Sequence, residues 1–221
     1  MGAIIGMAQN FPGSNNINLL LPNGNFGHRK QLGKDAASPR YIFTNTNKLA
    51  YKIFRDEDLN ILKNIVEEGK EVEPETYMPI IPFILVNGTE GIGTGFSTEI
   101  PPFNPLDVVN SLKTFINNTD SIDIHPYYRG FTGTINKLTD TKYEMKGVYE
   151  IIDDDTVHIT EIPITTSLEA YKEFLISIEI IDKKVNDPKR KISDFDMKPY
   201  VRSEEHTSEL QSRETISYAV F

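Results

Sequence analysis

The residue types able to do chemistry crowd into one run, Gly33-Lys34-Asp35-Ala36-Ala37-Ser38-Pro39-Arg40-Tyr41-Ile42-Phe43-Thr44. Tyr41 directly follows Arg40, and Lys34 lies a little upstream. A phenol with its reference pKa of about 10 is ionised in only about one molecule in a thousand at pH 7, a deficit of roughly 4 kcal/mol for an oxygen nucleophile. Neighbouring cations reduce that deficit by favouring the phenolate. The same cations hold an anionic phosphate and the charge that develops on it during attack. The run therefore reads as a nucleophile, Tyr41, aimed at a phosphate, with Arg40 and Lys34 as charge partners. Residue types alone favour a blander occupant, a half-buried strand tyrosine beside two solvated cations.

The elements around this run must position it. Pro39 pushes Ser38 out of the helical region, and Ile42 and Phe43 give Arg40–Thr44 the propensity of a strand. Neighbours on a strand face opposite ways. Arg40 and Tyr41 thus meet on one phosphate only if the chain bends after Pro39; otherwise they serve different phosphates. Upstream, residues 2–10 read as the end of a helix, Pro12–Asn16 as a turn, and Ile17–Leu21 as a strand closed by Pro22-Asn23-Gly24. Asn23-Gly24 favours a tight hairpin with a strand near Phe26, which would set Arg29 and Lys30 on an exposed tip. Downstream, Lys48–Phe54 reads as a short helix, and Leu59, Leu62, Ile65 and Val66 as the apolar face of a second one ending at Gly69. Glu67, Glu68, Glu71, Glu73 and Glu75 follow no metal-ligand spacing and read as a solvated acidic face.

A second informative stretch runs from Asn87 to Gly95, with glycines at 88, 91, 93 and 95. Glycines let a backbone approach another surface closely. The stretch lacks the Lys-Ser/Thr of a phosphate-binding loop and does not fit G-x-G-x-x-G, so nucleotide binding has little support. Two readings of Ile92 stay open: a protruding apolar wedge of the kind that slides between base steps, or a residue tucked into a core by a glycine-rich turn. Ile100–Pro105 is a rigid connector, with Asn104 as helix cap and Pro105 at the first helical position. Leu106, Val109, Leu112, Phe115 and Ile116 form the expected apolar face of that helix. Strands are expected at Gly133–Leu138, Lys142–Val148 and Thr156–Ile162, with turns at Asp140 and Asp153-Asp154-Asp155, and a helix over Ser167–Ile178 capped by Ser167. Lys183, Lys184, Lys189, Arg190 and Lys191 form a polar, cationic loop that could touch a polyanion. The architecture expected is α+β.

Composition narrows the classes. The 221 residues suffice for one or two domains. No uncharged apolar run approaches the roughly 18 residues needed to span a bilayer, and Met1–Ala8 lacks the basic leader of a signal peptide. There is no cysteine, which removes disulfides and thiolate metal sites, and the histidines at 28, 125, 158 and 206 are widely scattered. Net charge is −9, yet residues 1–55 carry Arg29, Lys30, Lys34, Arg40, Lys48, Lys52 and Arg55 against Asp35 alone. Residues 56–201 carry 14 cations and 27 acids. A basic segment on an acidic chain suits contact with a phosphate backbone.

The run Gln9–Gly24, continued through Phe26-Gly27-His28-Arg29 to Tyr41, resembles the type IIA DNA topoisomerases in their eukaryotic and large-DNA-virus form. The resemblance extends through Glu73-Pro74-Glu75, Pro79-Ile80-Ile81-Pro82, Asn87–Gly95 and Ile100–Pro105, and thins after about Pro163. It implies a winged-helix domain, of which residues 1–80 would be the C-terminal part, followed by a truncated tower domain over 81–201. It implies that Tyr41 attacks a phosphorus of double-stranded DNA, expels the 3′ oxygen and leaves a 5′-phosphotyrosyl link. Arg40 would stabilise the pentacovalent phosphate. Arg29, Lys34 and Ser38 would contact the DNA, and Ile92 would fall on the family's intercalating isoleucine. It further implies a homodimer, Mg²⁺ and ATP held by domains outside this chain with no metal ligand within it, and work at the genome, in a nucleus or a viral replication compartment.

Some features depart from the family pattern. Lys30-Gln31-Leu32 stands where a glycine-rich spacer is usual, and the family's upstream histidine is not among these residues. Arg202–Ser212 and Ile216–Phe221 read as an in-frame translation of a sequencing-library adapter, with Arg213-Glu214-Thr215 where index bases would sit. Residues 202–221 are accordingly set apart from the native fold. The chain thus reads as a fragment cut at both ends and, by itself, is expected not to cleave DNA. The alternative is a non-catalytic DNA-binding or scaffold module in which Tyr41 never reacts.

Overall fold

The pairing of two strands that flank the chemistry-bearing run organises the first part of the chain. The computed structural model describes residues 1–117, 123–139, 141–154 and 156–178, and the backbone of two later strands. The cationic 183–191 loop, Asp140, Asp155 and residues 202–211 and 221 lie outside the described residues.

Helix α1 (Gly2–Ala8) leads to β1 (Leu20–Asn23), which pairs antiparallel with β2 (Phe43–Thr46), Asn23 opposite Phe43 and Leu20 opposite Thr46. This corrects the expected tight hairpin at Asn23-Gly24. The partner of β1 is not near Phe26, and the whole of residues 24–42 forms the connection between the two strands. Two 3-10 turns, Arg29–Gln31 and Pro39–Tyr41, shape that connection. Arg40 and Tyr41 consequently lie on a turn and not on a strand. Proline fixes φ near −65° and starts such a turn readily, while the β-forming Phe43 and Thr44 begin the strand only afterwards.

Helix α2 (Ala50–Ile53) follows, then a 3-10 turn, Asp56–Asn60. The helix expected over Leu59–Val66 is replaced by a hairpin of β3 (Asn64–Glu67) and β4 (Lys70–Pro74). Glu68 and Gly69 both take positive φ, 51° and 78°. That is the backbone of a two-residue hairpin turn, and the β-branched Ile65 and Val66 favour the strand that enters it. The acidic run lies along this exposed ribbon.

Helix α3 (Phe83–Asn87) leads into a hairpin of β5 (Thr89–Gly93) and β6 (Phe96–Ile100), with Ile92 opposite Ser97. Helix α4 (Pro105–Ile116) begins as its sequence dictates: Asn104 accepts a hydrogen bond from the Leu106 N–H at 2.9 Å. Its buried residue is Val108, while Leu106, Phe115 and Ile116 are exposed, so the apolar face is rotated from the expected one. Next come β7 (Thr134–Thr139), β8 (Lys142–Lys146), β9 (Val148–Ile151) and β10 (Thr156–Glu161); Gly147 divides the single strand expected over Lys142–Val148. Helix α5 (Leu168–Ile178) carries the Ser167 cap, whose Oγ accepts from the Ala170 N–H at 3.0 Å. Strands β11 (Phe195–Val201) and β12 (Ser212–Val220) complete a four-stranded sheet in the order β11-β12-β10-β9. Such pairing uses backbone groups that any non-proline residue supplies, so it is indifferent to the origin of residues 212–220.

The described architecture mixes helices with two-stranded ribbons and one larger sheet. The early and late parts of the chain meet through buried contacts. Gly13 abuts Ile164, α5 packs on the Arg29–Gln31 turn, and Gln31 donates to Glu169 at 2.8 Å.

Candidate active site

The connection between β1 and β2 is held by side chains bonded to backbone, as an irregular loop must be if its polar groups are not to go unpaired. Gln9 Nε2 donates to the carbonyls of Phe26 (3.0 Å) and Gly33 (3.3 Å). Asn25 donates to the Asp35 carbonyl at 3.0 Å, and the Ala37 N–H donates back to the Asn25 carbonyl at 2.9 Å. Gly27 and Gly33 cross so closely that a Cβ on Gly27 would lie 2.6 Å from the Gly33 carbonyl oxygen. Asp35 closes the loop by accepting from the His28 N–H at 2.8 Å and facing the His28 ring nitrogen Nδ1 at 2.6 Å. Burial pushes the Asp35 carboxyl up, but the bonds from the His28 backbone and ring outweigh it, and the net shift is downward.

On this platform Tyr41 stands out from the surface, 71% exposed, and its ring meets the Arg40 side chain. The Arg40 guanidinium carbon sits 5.8 Å from the ring centroid. The strand geometry that would have separated the two side chains is absent, and the turn opened by Pro39 brings them together. Ser38 caps the same turn, accepting from the Tyr41 N–H at 2.9 Å through its carbonyl. Ser38, Arg40 and Lys34 are all exposed, Lys34 on the same loop. An exposed phenol with a guanidinium against its ring and a lysine on the same loop can receive an anionic ester.

Arg29 is not on an exposed tip. Its side chain turns inward, 10% exposed, and pairs with Glu161 at the end of β10. It also donates to the Ile162 carbonyl at 2.5 Å. Glu161 accepts in addition from the Thr132 N–H (3.2 Å) and Oγ1 (3.0 Å). The expectation of Arg29 as a free grip is corrected to a buried ion pair that ties the loop to β10. Its partner is 132 positions away, and no local signal announces it.

Ile92 lies on the β5–β6 hairpin, apart from the Tyr41 loop, and is 87% exposed; Phe96 nearby is 84% exposed. The core reading of Ile92 is thereby excluded. Sequence reasoning missed the residues that hold the hairpin. Asn16, 5% exposed, donates through Nδ2 to the carbonyls of Val86 (2.9 Å), Phe103 (3.1 Å) and Tyr127 (2.9 Å), and its Oδ1 accepts from the Arg129 N–H at 2.8 Å. Asn87 exchanges bonds with Ile17, accepting from its N–H at 2.9 Å and donating to its carbonyl at 2.8 Å. The paired asparagines in Ser14-Asn15-Asn16 were legible only as a turn. Among the described residues, no three His, Asp or Glu side chains group in a way that could hold a metal ion. No described helix is long and apolar enough to cross a membrane.

A family model for DNA gyrase/topoisomerase IV matches residues 1–217. The chain is 53% identical over 173 residues to a DNA topoisomerase 2 of Saccharomyces cerevisiae, covering 78% of this chain and 12% of that protein. It is 47% identical over 190 residues to the DNA topoisomerase 2 of Acanthamoeba polyphaga mimivirus, covering 86% and 15%. Among solved structures it superposes on the DNA-binding, cleavage and re-ligation domain of Plasmodium falciparum topoisomerase II. That match has a TM-score of 0.82 and 42% identity, over 98% of this chain and 28% of the other. The chain thus spans only about an eighth of the length of these curated relatives.

Proposed function

The chain belongs to the type IIA DNA topoisomerase family, and from that membership we propose that it is part of the breakage-and-reunion region of an enzyme that cuts and reseals double-stranded DNA. The observation that carries this reading is the exposed Tyr41 with Arg40 against its ring, on a loop clamped at both ends. Tyr41 Oη attacks a backbone phosphorus. The bond to the 3′ oxygen breaks as the tyrosyl ester to the 5′ phosphate forms. The phenol gives up one proton and the departing 3′ hydroxyl takes one up. One phosphoester replaces another, so the reverse attack reseals the strand without an outside energy source. Arg40 meets the charge that builds on the phosphorane oxygens, and Lys34 and Ser38 hold the flanking backbone. Arg29 acts behind the surface, fixing the loop through Glu161.

Residues 1–80 fit the C-terminal part of a winged-helix domain, and 81–201 a tower domain; residues 202–221, with their adapter-like sequence, stay outside this assignment. Ile92 fits a wedge that bends the duplex. Glycine at position 91 meets nothing within 4 Å, so no packing inside the chain demands it, and a glycine in a strand without such a demand suits close approach by an outside partner. Duplex cleavage requires two such tyrosines, hence a homodimer, working at the genome. The family implies Mg²⁺ and ATP in the complete enzyme. The described residues offer no site that fits the metal, and no step here runs through either.

The test restores this region to the full-length enzyme and follows Tyr41→Phe on supercoiled plasmid with Mg²⁺. A covalent protein–DNA adduct in the parent that vanishes in the variant is expected. Equal adduct in both would place the nucleophile elsewhere, and DNA binding with no adduct in either would favour a scaffold.

A further inference from the structure

We infer that Asn87, with Asn16, is a positioning clamp that fixes the Ile92 hairpin relative to the Tyr41 loop, so that DNA bending and strand cleavage are set by one hydrogen-bonded seam. The clamp rests on the reading of Ile92 as a wedge. A wedge works only if its base does not yield when a base step is pushed apart. Unstacking a step costs a few kcal/mol, and that load is transmitted to the stem of the β5–β6 hairpin.

The stem is braced on both sides. Asn16 reaches the Val86 carbonyl just before the hairpin and the Phe103 carbonyl just after it, with the Phe103 N–H bonded to the Leu85 carbonyl at 2.8 Å between them. Asn87, the last residue of α3, holds Ile17 by a reciprocal pair of bonds and donates to Asn15 Oδ1 at 3.2 Å. Gly88 then enters the hairpin with φ 71°, so close that a Cβ would lie 2.6 Å from the Ile100 carbonyl oxygen. Ile17 leads in turn to β1, and β1 pairs with β2, the strand that directly follows the Tyr41 turn. Nucleophile and wedge are thus joined by one path: Tyr41, β2, β1, Ile17, Asn87, β5. These asparagines touch neither DNA nor the reacting atoms. They act through the two residues that do, and the buried amide bonds have a low-dielectric setting in which their loss leaves carbonyls unpaired.

The experiment uses the full-length enzyme and a short duplex labelled at both ends for energy transfer. In a Tyr41→Phe background, Asn87→Ala is expected to keep duplex affinity within about twofold while energy transfer in the bound duplex falls toward that of free DNA. With Tyr41 present, cleavage should fall about tenfold or more, as a small misplacement of reacting groups does. A duplex nicked at the wedged step bends without the wedge and should restore most of that loss. Asn87→Asp keeps the shape and the acceptor to the Ile17 N–H and removes only the donated bonds; it should move bending and cleavage in the same direction, and it carries the test if Asn87→Ala does not fold. Unchanged bending and cleavage in the asparagine variants would overturn the clamp, as would an equal loss on nicked and intact duplex accompanied by weakened binding. Ile92→Ala, run in parallel, separates the two ideas. If it leaves bending intact, the wedge reading itself fails. If it straightens the DNA and the Asn87 variants do not, the wedge stands and the clamp falls.

Discussion

Arg29 and Arg40 occupy the same loop and use the same side chain for opposite ends. Arg40 lies at the surface against Tyr41, where a guanidinium is free to meet a phosphate in a bidentate fork. Arg29 is sunk against Glu161, with its Nε buried and unpartnered. A buried pair contributes little over an apolar pair of similar volume, but removing one member strands the other charge at a cost of about 3–5 kcal/mol. Arg29→Met should therefore lower the denaturant midpoint of unfolding sharply. Adding Glu161→Leu to it should recover most of the loss, and a simple additive result in that double-mutant cycle would show that the two side chains do not depend on each other.

At the scale of elements, the loop over residues 24–42 is a scaffold closed by Asp35. Its carboxyl is held below the ordinary value by the His28 backbone and ring against the opposing effect of burial. A carboxyl depressed on folding contributes stability that is present above its unfolded value of about 4 and is lost as pH falls through the lower, folded one. Loop amides such as those of His28 and Ala37 should exchange faster with solvent below about pH 4, and Asp35→Asn should abolish that dependence. Elements governed by local chemistry were legible in the sequence. Asn104-Pro105 opened α4, Ser167 opened α5, and the tyrosine run announced the site. Elements decided at a distance were not. The Leu59–Val66 pattern looked helical because its apolar spacing is ambiguous over so short a span, and the Glu68-Gly69 turn decided for strands. Arg40 and Tyr41 looked like strand residues because Ile42 and Phe43 favour strand, while Pro39 and the pairing of β2 with β1 determined where the strand starts. The Arg29–Glu161 pair and the Asn16 hub depend on partners with no sequence proximity at all.

Over the whole molecule, charge is segregated. The basic first segment presents Lys34 and Arg40 on a chain that is otherwise acidic, so attraction to a polyanion is confined to the face that carries Tyr41. In the full-length enzyme, Lys34→Gln should weaken DNA binding across sequences alike and reduce the slope of log affinity against log salt by about 1. A slope unchanged by the substitution would remove Lys34 from the interface. The long reach of the buried contacts also bears on how the molecule is made. Strands β1 and β2 lie near each other in sequence and can pair soon after both leave a ribosome. The acceptors and donors of Asn16 lie 70 to 113 positions further on, and Glu161 lies 132 beyond Arg29. At a synthesis rate of about 5–20 residues per second, the nascent tyrosine loop waits on the order of ten seconds with its arginine uncompensated and its asparagines bound only to water. That interval is a window for chaperone capture, opened by topology and independent of how stable the finished domain is.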